Sequence, residues 1–235
     1  MKKLLIFHPT IAPYRIDFFN DLNKTFETRV CLRYYNLKSQ KFDYDKIAAQ
    51  FEFEPVYQDS DIKGHSRKFY WENLDEFKPD VVIVEEFSIG AVYVLMHRFF
   101  KRKKYTVISI CDDSYNMVAE NNDFSKAHKM ARKLIVPRLD GMILVEPMVA
   151  QWYSEHYGKG TFFPIIKPDE KARNEYKRII PQSLNTAKEH CLFGKRVFQF
   201  VGRLVNIKNI DSAIRAFAKL DQNENVLVIV GDEHE

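Results

Sequence analysis

Glycine is scarce and late in this chain of 235 residues: there are 8, and the first is Gly64. A dinucleotide-binding loop needs glycines directly after the first strand, where the turn is tight and the backbone must approach a pyrophosphate closely. A nicotinamide or flavin fingerprint is therefore excluded, and the Gly-Lys-Ser/Thr ending of a phosphate-binding P-loop is missing too. No Gly-x-Ser-x-Gly elbow offers a hydrolase nucleophile. The three cysteines, Cys31, Cys111 and Cys191, stand far apart with no C-x-x-C pair, so neither a disulfide framework nor a cysteine zinc site is expected and a reducing cytoplasm is the natural home. The 7 histidines are dispersed, which leaves a histidine metal site without support; no metal and no cofactor are expected. Long apolar runs are also missing. The longest, Val81 to Met96, is broken by Glu85, Glu86 and Ser88 and falls short of the about 20 residues of a membrane span. The apolar segment within Met1 to Pro13 is too short for a signal peptide.

What is present is ordinary globular composition, with 46% hydrophobic and 29% charged residues. At about 150 residues per domain the length corresponds to about 1.6 domains. Lys plus Arg number 36 against 32 acids, a net +4 that does not direct the chain to nucleic acid. An anionic small molecule or a weak membrane contact suits it better.

The hydrophobic period alternates between short continuous runs and helical spacing, which predicts an α/β fold around a doubly wound parallel sheet. Strands are expected at Lys3–Phe7, Thr28–Tyr35, Phe51–Val56, Val81–Val84, Tyr105–Ile110, Gly141–Val145, Val197–Val201 and Val226–Val230. Helices are expected near Pro13–Lys24, Asp43–Gln50, Arg67–Phe77, Ile89–Lys101, Lys126–Arg138, Pro147–His156 and Ile210–Leu220. After Pro164 a polar stretch, Ile165 to Gly194, reads as a linker passing into a helix, and a second βαβ begins at Lys195. This predicts an N-terminal domain over 1–165, then linker and a partial second domain over 166–235. A parallel pair with one crossover cannot cover both faces of its sheet, so the second domain is expected to be unfinished.

The basic run His97 to Lys104 (His-Arg-Phe-Phe-Lys-Arg-Lys-Lys) reads as a solvated helix end whose cations suit the helix dipole. Its interleaved Phe99 and Phe100 also suit contact with an anionic membrane surface. Ligands of doubly wound sheets sit beyond the carboxyl ends of the strands. There the most suggestive stretch is Val201-Gly202-Arg203-Leu204-Val205-Asn206-Ile207-Lys208-Asn209: a strand end, a glycine and two cations before a helix whose stripe is Ile210, Ala213, Ile214, Phe217 and Leu220. Asn209 can cap that helix. Its free N–H groups beside Arg203 and Lys208 would suit an anion such as a diphosphate, although cations in loops are commonly just solvated.

These residues resemble a known family. Phe200-Val-Gly-Arg-Leu-Val-Asn-Ile-Lys-Asn-Ile-Asp, then Ala216-Phe-Ala-Lys-Leu and Val228-Ile-Val-Gly-Asp, look like the start of the donor domain of glycosyltransferase family 4, retaining enzymes of GT-B fold. The resemblance implies that Gly202, Arg203 and Lys208 hold the diphosphate of a nucleotide-sugar, with Gly231 and Asp232 at the pocket edge. Cations aimed at a departing diphosphate stabilise the transition state more than the ground state. Ile11-Ala-Pro-Tyr-Arg-Ile-Asp-Phe-Phe-Asn-Asp-Leu is similar to a first loop and helix of this family, which implies Tyr14 and Arg15 near donor phosphate or acceptor; the alternative is a core tyrosine and a solvated arginine. Cys111-Asp112-Asp113-Ser114-Tyr115 has Cys111 where many relatives carry histidine. Asp112 or Asp113 is then the catalytic candidate, by accepting a hydrogen bond from a sugar hydroxyl, unless the pair caps a turn or binds a metal. Of Glu85 and Glu86, Glu86 is the candidate for orienting the acceptor, against a bland role as N-terminal charge on the next helix.

The resemblance implies sugar transfer from a nucleotide-sugar to a glycan or lipid-linked acceptor in surface polysaccharide assembly, by a cytoplasmic protein in peripheral contact with the inner face of the membrane. The glutamate pair that holds the donor in this family does not occur here, so the chain is expected to be truncated and inactive alone. Two alternatives remain: a non-catalytic module that binds acceptor or membrane, and a GT-B nucleotide-sugar epimerase.

Overall fold

The structure, a computed structural model, describes residues 1–35, 43–120, 125–164 and 170–231. The chain divides into two compact units, the first running essentially to Lys167 and the second from Pro168. The expected boundary at Ile165, and Asp232, lie outside the described residues.

The first unit is built on seven parallel strands: β1 (Lys3–His8), β2 (Glu27–Leu32), β3 (Glu54–Tyr57), β4 (Val81–Glu85), β5 (Thr106–Cys111), β6 (Gly141–Leu144) and β7 (Thr161–Phe162). Their order is β3-β2-β1-β4-β5-β6-β7, so the direction of winding reverses between β1 and β4, and the crevice that such reversals open lies at the carboxyl ends of those strands. The helices are α1 (Ile16–Thr25), α2 (Tyr44–Ala48), α3 (Arg67–Phe77), α4 (Ile89–Phe100), α5 (Tyr115–Ala119), α6 (Lys126–Ile135) and α7 (Pro147–Tyr157).

Strand alternation builds two cores at once. In β1, Leu5 and Phe7 join Val82, Val84 and Val107 under α3, α4 and α7, while Leu4 and Ile6 point the other way to join Val30, Leu32 and Ile83 under α1 and α2. Both faces are covered, hence the near-continuous apolar strands. Helix ends follow local chemistry: Ser66 and Ser125 accept from the backbone N–H of Phe69 and His128 at the starts of α3 and α6, and Gly158 ends α7 in the left-handed conformation that glycine tolerates.

Several boundaries differ from the sequence expectation. β2 stops at Leu32 rather than Tyr35, and β3 begins at Glu54 because Phe51 and Phe53 are used as packing residues, stacked at 4.7 Å. Pro13 opens a 3-10 turn, Pro13–Arg15, before α1. α5 and β7 are too short to carry a period. His97 in the basic run is fully buried, bonded to Asp75 and Tyr105, so that part of the run is core rather than solvated charge.

The second unit consists of α8 (Glu170–Glu189), β8 (Arg196–Val201), α9 (Ile210–Phe217) and β9 (Asn225–Val230), with β8 and β9 parallel over six residue pairs. Among its described side chains none is buried. The stripe expected to be buried on α9 is only half covered: Phe217 packs edge-on against Phe198, but Ile214 is 45% exposed and Leu220 falls beyond the helix. One helix laid on two strands has too little surface to enclose it.

Candidate functional site

Four strand ends of the first unit carry a cluster of charge. β1 ends at His8, β2 is followed by Arg33, β4 runs into Glu85 and Glu86, and β5 into Asp112 and Asp113. The 3-10 turn after β1 adds Arg15, whose Nη1 donates to His8 Nε2 at 2.8 Å. Because guanidinium only donates, His8 Nε2 is the accepting nitrogen and the proton sits on Nδ1, which donates to Thr10 O at 2.7 Å. Burial first, and then the Arg15 charge, push the His8 pKa down to about 3, so this histidine is neutral at physiological pH. Arg15 is largely buried rather than solvated, and its Nη2 lies 4.0 Å from Asp112 Oδ2. Tyr14 is 54% exposed, so it is not a core aromatic.

A second arginine is held in the same manner. Arg33 donates from Nη2 to Glu85 Oε2 at 2.6 Å and from Nη1 to His65 Nε2 at 2.8 Å. His65 therefore carries its proton on Nδ1 and donates to the Tyr70 hydroxyl at 2.9 Å; burial and then Arg33 hold its pKa near 4. Tyr70 fits because residue 90 is glycine: a Cβ there would land inside the Tyr70 hydroxyl. Gly90, Tyr70, His65 and Arg33 thus form one chain of contacts that orients Glu85.

Glu86 adopts a left-handed backbone, φ 47°, a conformation that costs a non-glycine residue roughly 1–3 kcal/mol. Neighbours hold it there: its N–H donates to Ile110 O at 2.9 Å and its carbonyl accepts from the buried Ser109 hydroxyl at 2.7 Å. This conformation takes Glu86 off the helix, since α4 begins only at Ile89, so the bland reading as helix N-terminal charge does not apply. Burial, and next a hydrogen bond with Asp112 and the charges of Asp112, Glu85 and Asp113, raise the Glu86 pKa to about 8. At that value the Glu86 carboxyl stays largely protonated near neutrality and can act as a donor. Glu85 is also raised, by burial first, with Arg33 and Arg15 opposing.

The adjacent aspartates divide. Asp112 is 57% exposed and available, while Asp113 is 2% exposed and committed. Its Oδ2 accepts from the Tyr153 hydroxyl at 2.7 Å and pairs with buried Arg132 Nη2 at 3.2 Å, with Arg132 lying over the rings of Phe87 and Trp152. As a direct catalytic candidate Asp113 is corrected on burial: its side chain is almost wholly enclosed and its Oδ2 is engaged inside the protein, so it braces the β5 end rather than facing a ligand. Removing one partner of such a pair strands a buried charge, a loss of about 3–5 kcal/mol. Cys111 is buried with its thiol pKa raised, chiefly by burial, which keeps it unreactive. Among the described residues no group of three or more metal-ligating side chains comes together.

The second unit brings Gly202 and Gly231 together at the carboxyl ends of β8 and β9. Gly202 N–H donates to Val230 O at 3.0 Å, and a Cβ on Gly231 would collide with Gly202 O, so the close approach requires glycine. Arg203 and Lys208 are exposed and make no ion pair among the described residues; they flank the start of α9 but nothing fixes them. Asn209 occupies the cap position in left-handed conformation, φ 51°, and its side chain does not cap a backbone N–H as expected; its Oδ1 instead accepts from the Ser212 hydroxyl at 2.8 Å. The α9 N–H groups are left without a side-chain cap.

His8, Arg33, His65, Arg132 and Tyr153 were not singled out from sequence. For His8 and Arg33 a signal exists, since each directly terminates or follows a strand at the carboxyl edge. His65, Arg132 and Tyr153 reach the cluster only through tertiary packing.

Comparison with known proteins fits this architecture. Residues 186–235 match the family described as Glycosyl transferases group 1, a stretch that takes in β8, α9 and β9. Among curated proteins no match was found. Of the solved structures, the UDP-GlcNAc 2-epimerase from Neisseria meningitidis bound to UDP-GlcNAc aligns with TM-score 0.54 and 16% identity, over 97% of this chain and 65% of that one. The UDP-N-acetylglucosamine 2-epimerase from Rickettsia bellii aligns with TM-score 0.51 and 16% identity, over 99% and 62%. The S. aureus MnaA–UDP structure aligns with TM-score 0.53 and 16% identity, over 97% and 61%. The chain spans less than two thirds of the length of these three neighbours. Likeness at this identity establishes the fold, a Rossmann-like GT-B architecture.

Proposed function

We propose that this chain acts in sugar transfer from a nucleotide-sugar as a retaining glycosyltransferase of family 4, with a glycan or lipid-linked acceptor of surface polysaccharide assembly and a cytoplasmic location. One observation carries the reading: the stretch matched to group 1 glycosyltransferases contains the abutting Gly202 and Gly231, the uncapped start of α9, and Arg203 and Lys208 beside it. In this proposal the first unit, over about 1–165, is the acceptor side, and the remainder binds donor. Arg203, Lys208 and the α9 N–H groups take the diphosphate, and their charge stabilises it as the glycosidic bond breaks. Tyr14, Arg15, Glu86 and Asp112 serve the acceptor, with Asp113 positioning Asp112 from behind.

Calorimetry with nucleoside diphosphates tests this. The chain should bind UDP or another nucleoside diphosphate, and Arg203→Ala or Lys208→Ala should each weaken binding by about tenfold or more, the scale of a charge-assisted hydrogen bond. No heat with any nucleoside diphosphate, or variants that bind as the parent does, would sink the assignment.

A second reading, a nucleotide-sugar epimerase, is favoured by the Glu86 carboxyl, which burial first and then its acidic neighbours keep protonated up to about pH 8. Epimerisation at a carbon bearing hydrogen needs an acid and a base working at one centre, and the three neighbours named above include two 2-epimerases. An isomerised nucleotide-sugar carrying solvent deuterium, formed without acceptor, would select this reading over transfer.

A further inference from the structure

The amino-terminal edge of the sheet, opposite the cluster above, carries a second organised patch. In a βαβ unit the helix returns antiparallel to its strands, so α4 starts near the carboxyl end of β4 and delivers its last turn to the amino edge, where β5 begins. That turn ends in Phe99 and Phe100, 78% and 62% exposed, packed edge to face at 5.3 Å. Four exposed cations follow: Lys101, Arg102, Lys103 and Lys104. Arg102 and Lys78, the residue that ends α3 at the same edge, are both in left-handed conformation. Lys78, Lys103 and Lys104 line a cavity of about 300 Å³ with Asp80, Pro79 and Tyr105.

Charge there is unevenly balanced. Lys101 lies 3.5 Å from Asp75, Arg98 pairs with Asp140, and Asp80 accepts from the Lys3 backbone N–H at 2.8 Å. Lys78, Arg102, Lys103 and Lys104 form no ion pair among the described residues. A soluble anion accounts for the cations but not for two phenylalanines held out in water beside them. An anionic bilayer accounts for both, since rings enter the headgroup boundary while lysines reach lipid phosphate. No described helix is long and apolar enough to cross a membrane, so contact of this kind is at the surface.

We propose that the amino edge of the first unit, comprising Phe99, Phe100, Lys78 and Arg102 to Lys104, is a docking surface for an anionic lipid bilayer. The inference is independent of whether the chain transfers or epimerises a sugar.

Co-sedimentation of the full chain with lipid vesicles tests it. At about 0.1 M salt, where the Debye length is about 10 Å, the protein should pellet with phosphatidylcholine vesicles carrying about one third phosphatidylglycerol and stay in solution with phosphatidylcholine alone. Lys103→Ala with Lys104→Ala should weaken binding about 25-fold, about fivefold per charge, and that difference should shrink at about 0.5 M salt. Phe99→Ala with Phe100→Ala should weaken binding by about tenfold or more. All four positions are exposed, and unchanged melting temperatures would show that the variants remain folded. As an independent readout, Phe99→Trp emission should shift to the blue on anionic vesicles only. Equal binding to neutral and anionic vesicles, or either double variant binding as the parent does, would overturn the proposal. So would heparin binding indifferent to loss of the phenylalanines in a protein that ignores vesicles, which would assign the patch to a soluble polyanion.

Discussion

The two units use the same βαβ grammar and reach opposite packing outcomes. In the first, seven strands covered on both faces leave Leu5, Ile6, Val82 and Leu144 with essentially no exposure. In the second, β8 and β9 with their single crossover leave Val197, Phe198, Val201 and Ile214 between 39% and 68% exposed, although their apolar pattern reads just as strongly. Apolar periodicity marks which face an element offers, and only neighbours in sufficient number turn that offer into burial. Chemistry follows the same division: the first unit can hold a neutral His8, a protonated Glu86 and a dry Asp113–Arg132 pair because it excludes water, whereas Arg203 and Lys208 remain hydrated cations.

The sharpest way to break this contrast is to excavate both units. Leu5→Ala removes a side chain with no exposure and should destabilise the first unit by about 2–5 kcal/mol, the range for a core leucine. Phe198→Ala takes away a larger side chain that is 39% exposed, and its effect on the unfolding of the second unit should be only about 1–2 kcal/mol, because part of its surface is already in water. Denaturant melts read by native-state hydrogen exchange resolve the two units separately. Equal losses for the two variants would mean that the apolar face of the second unit is covered in solution.

Glu86 sharpens the comparison on the electrostatic side. Its folded pKa, about 8, lies above the ordinary carboxyl value of 4.5, so the native state keeps a proton that the unfolded chain releases. The stability this contributes is complete below about pH 4.5 and drains away as pH rises to about 8. Glu86→Gln mimics the protonated form and keeps a donor for Asp112. It should be neutral at about pH 4 and stabilising by on the order of 2 kcal/mol at about pH 9, after allowance for partial exposure. Urea titrations at the two pH values check this, and a variant equally stable with the parent at both would show that the fold does not hold Glu86 protonated.

How much of this was legible beforehand depends on the range of the interactions. Six strands of the first unit, its α3 and α4, and the strand–glycine–helix run of the second follow from short-range periodicity, and were readable. The seventh strand, two exposed residues at a sheet edge, has no pattern to read. At the site, Glu86 and Asp112 could be nominated because they sit just past strand ends, where topology opens a crevice, and Arg15 because the stretch around it resembles a first loop and helix of the family. Separating Asp112 from Asp113 was beyond sequence: the two are chemically identical neighbours, and only the arrival of Arg132 from α6 and Tyr153 from α7 decides which is spent internally. His97 shows the converse, a residue in a basic run that Asp75 and Tyr105 draw into the core.

The smallest expected effect concerns His65, which links Arg33 to Tyr70. Its folded pKa of about 4 lies below the ordinary histidine value of 6.5, so the unfolded chain takes up a proton that the native state refuses. The stability contributed is therefore present above about pH 6.5 and is lost as pH falls through about 4. His8, with a folded pKa of about 3, acts in the same direction. His65→Gln has no charge to acquire and still offers an acceptor to Arg33 and a donor toward Tyr70. Its stability should fall less steeply than that of the parent between about pH 6.5 and pH 4, by on the order of 1 kcal/mol once partial solvent exposure is allowed for. Among its described residues the second unit holds no comparable buried histidine, so its exchange rates, corrected for intrinsic pH dependence, should be the same in the variant and the parent across this window. A parallel change in both units would mean that the substitution acts on the whole chain rather than through the Arg33–His65–Tyr70 contact.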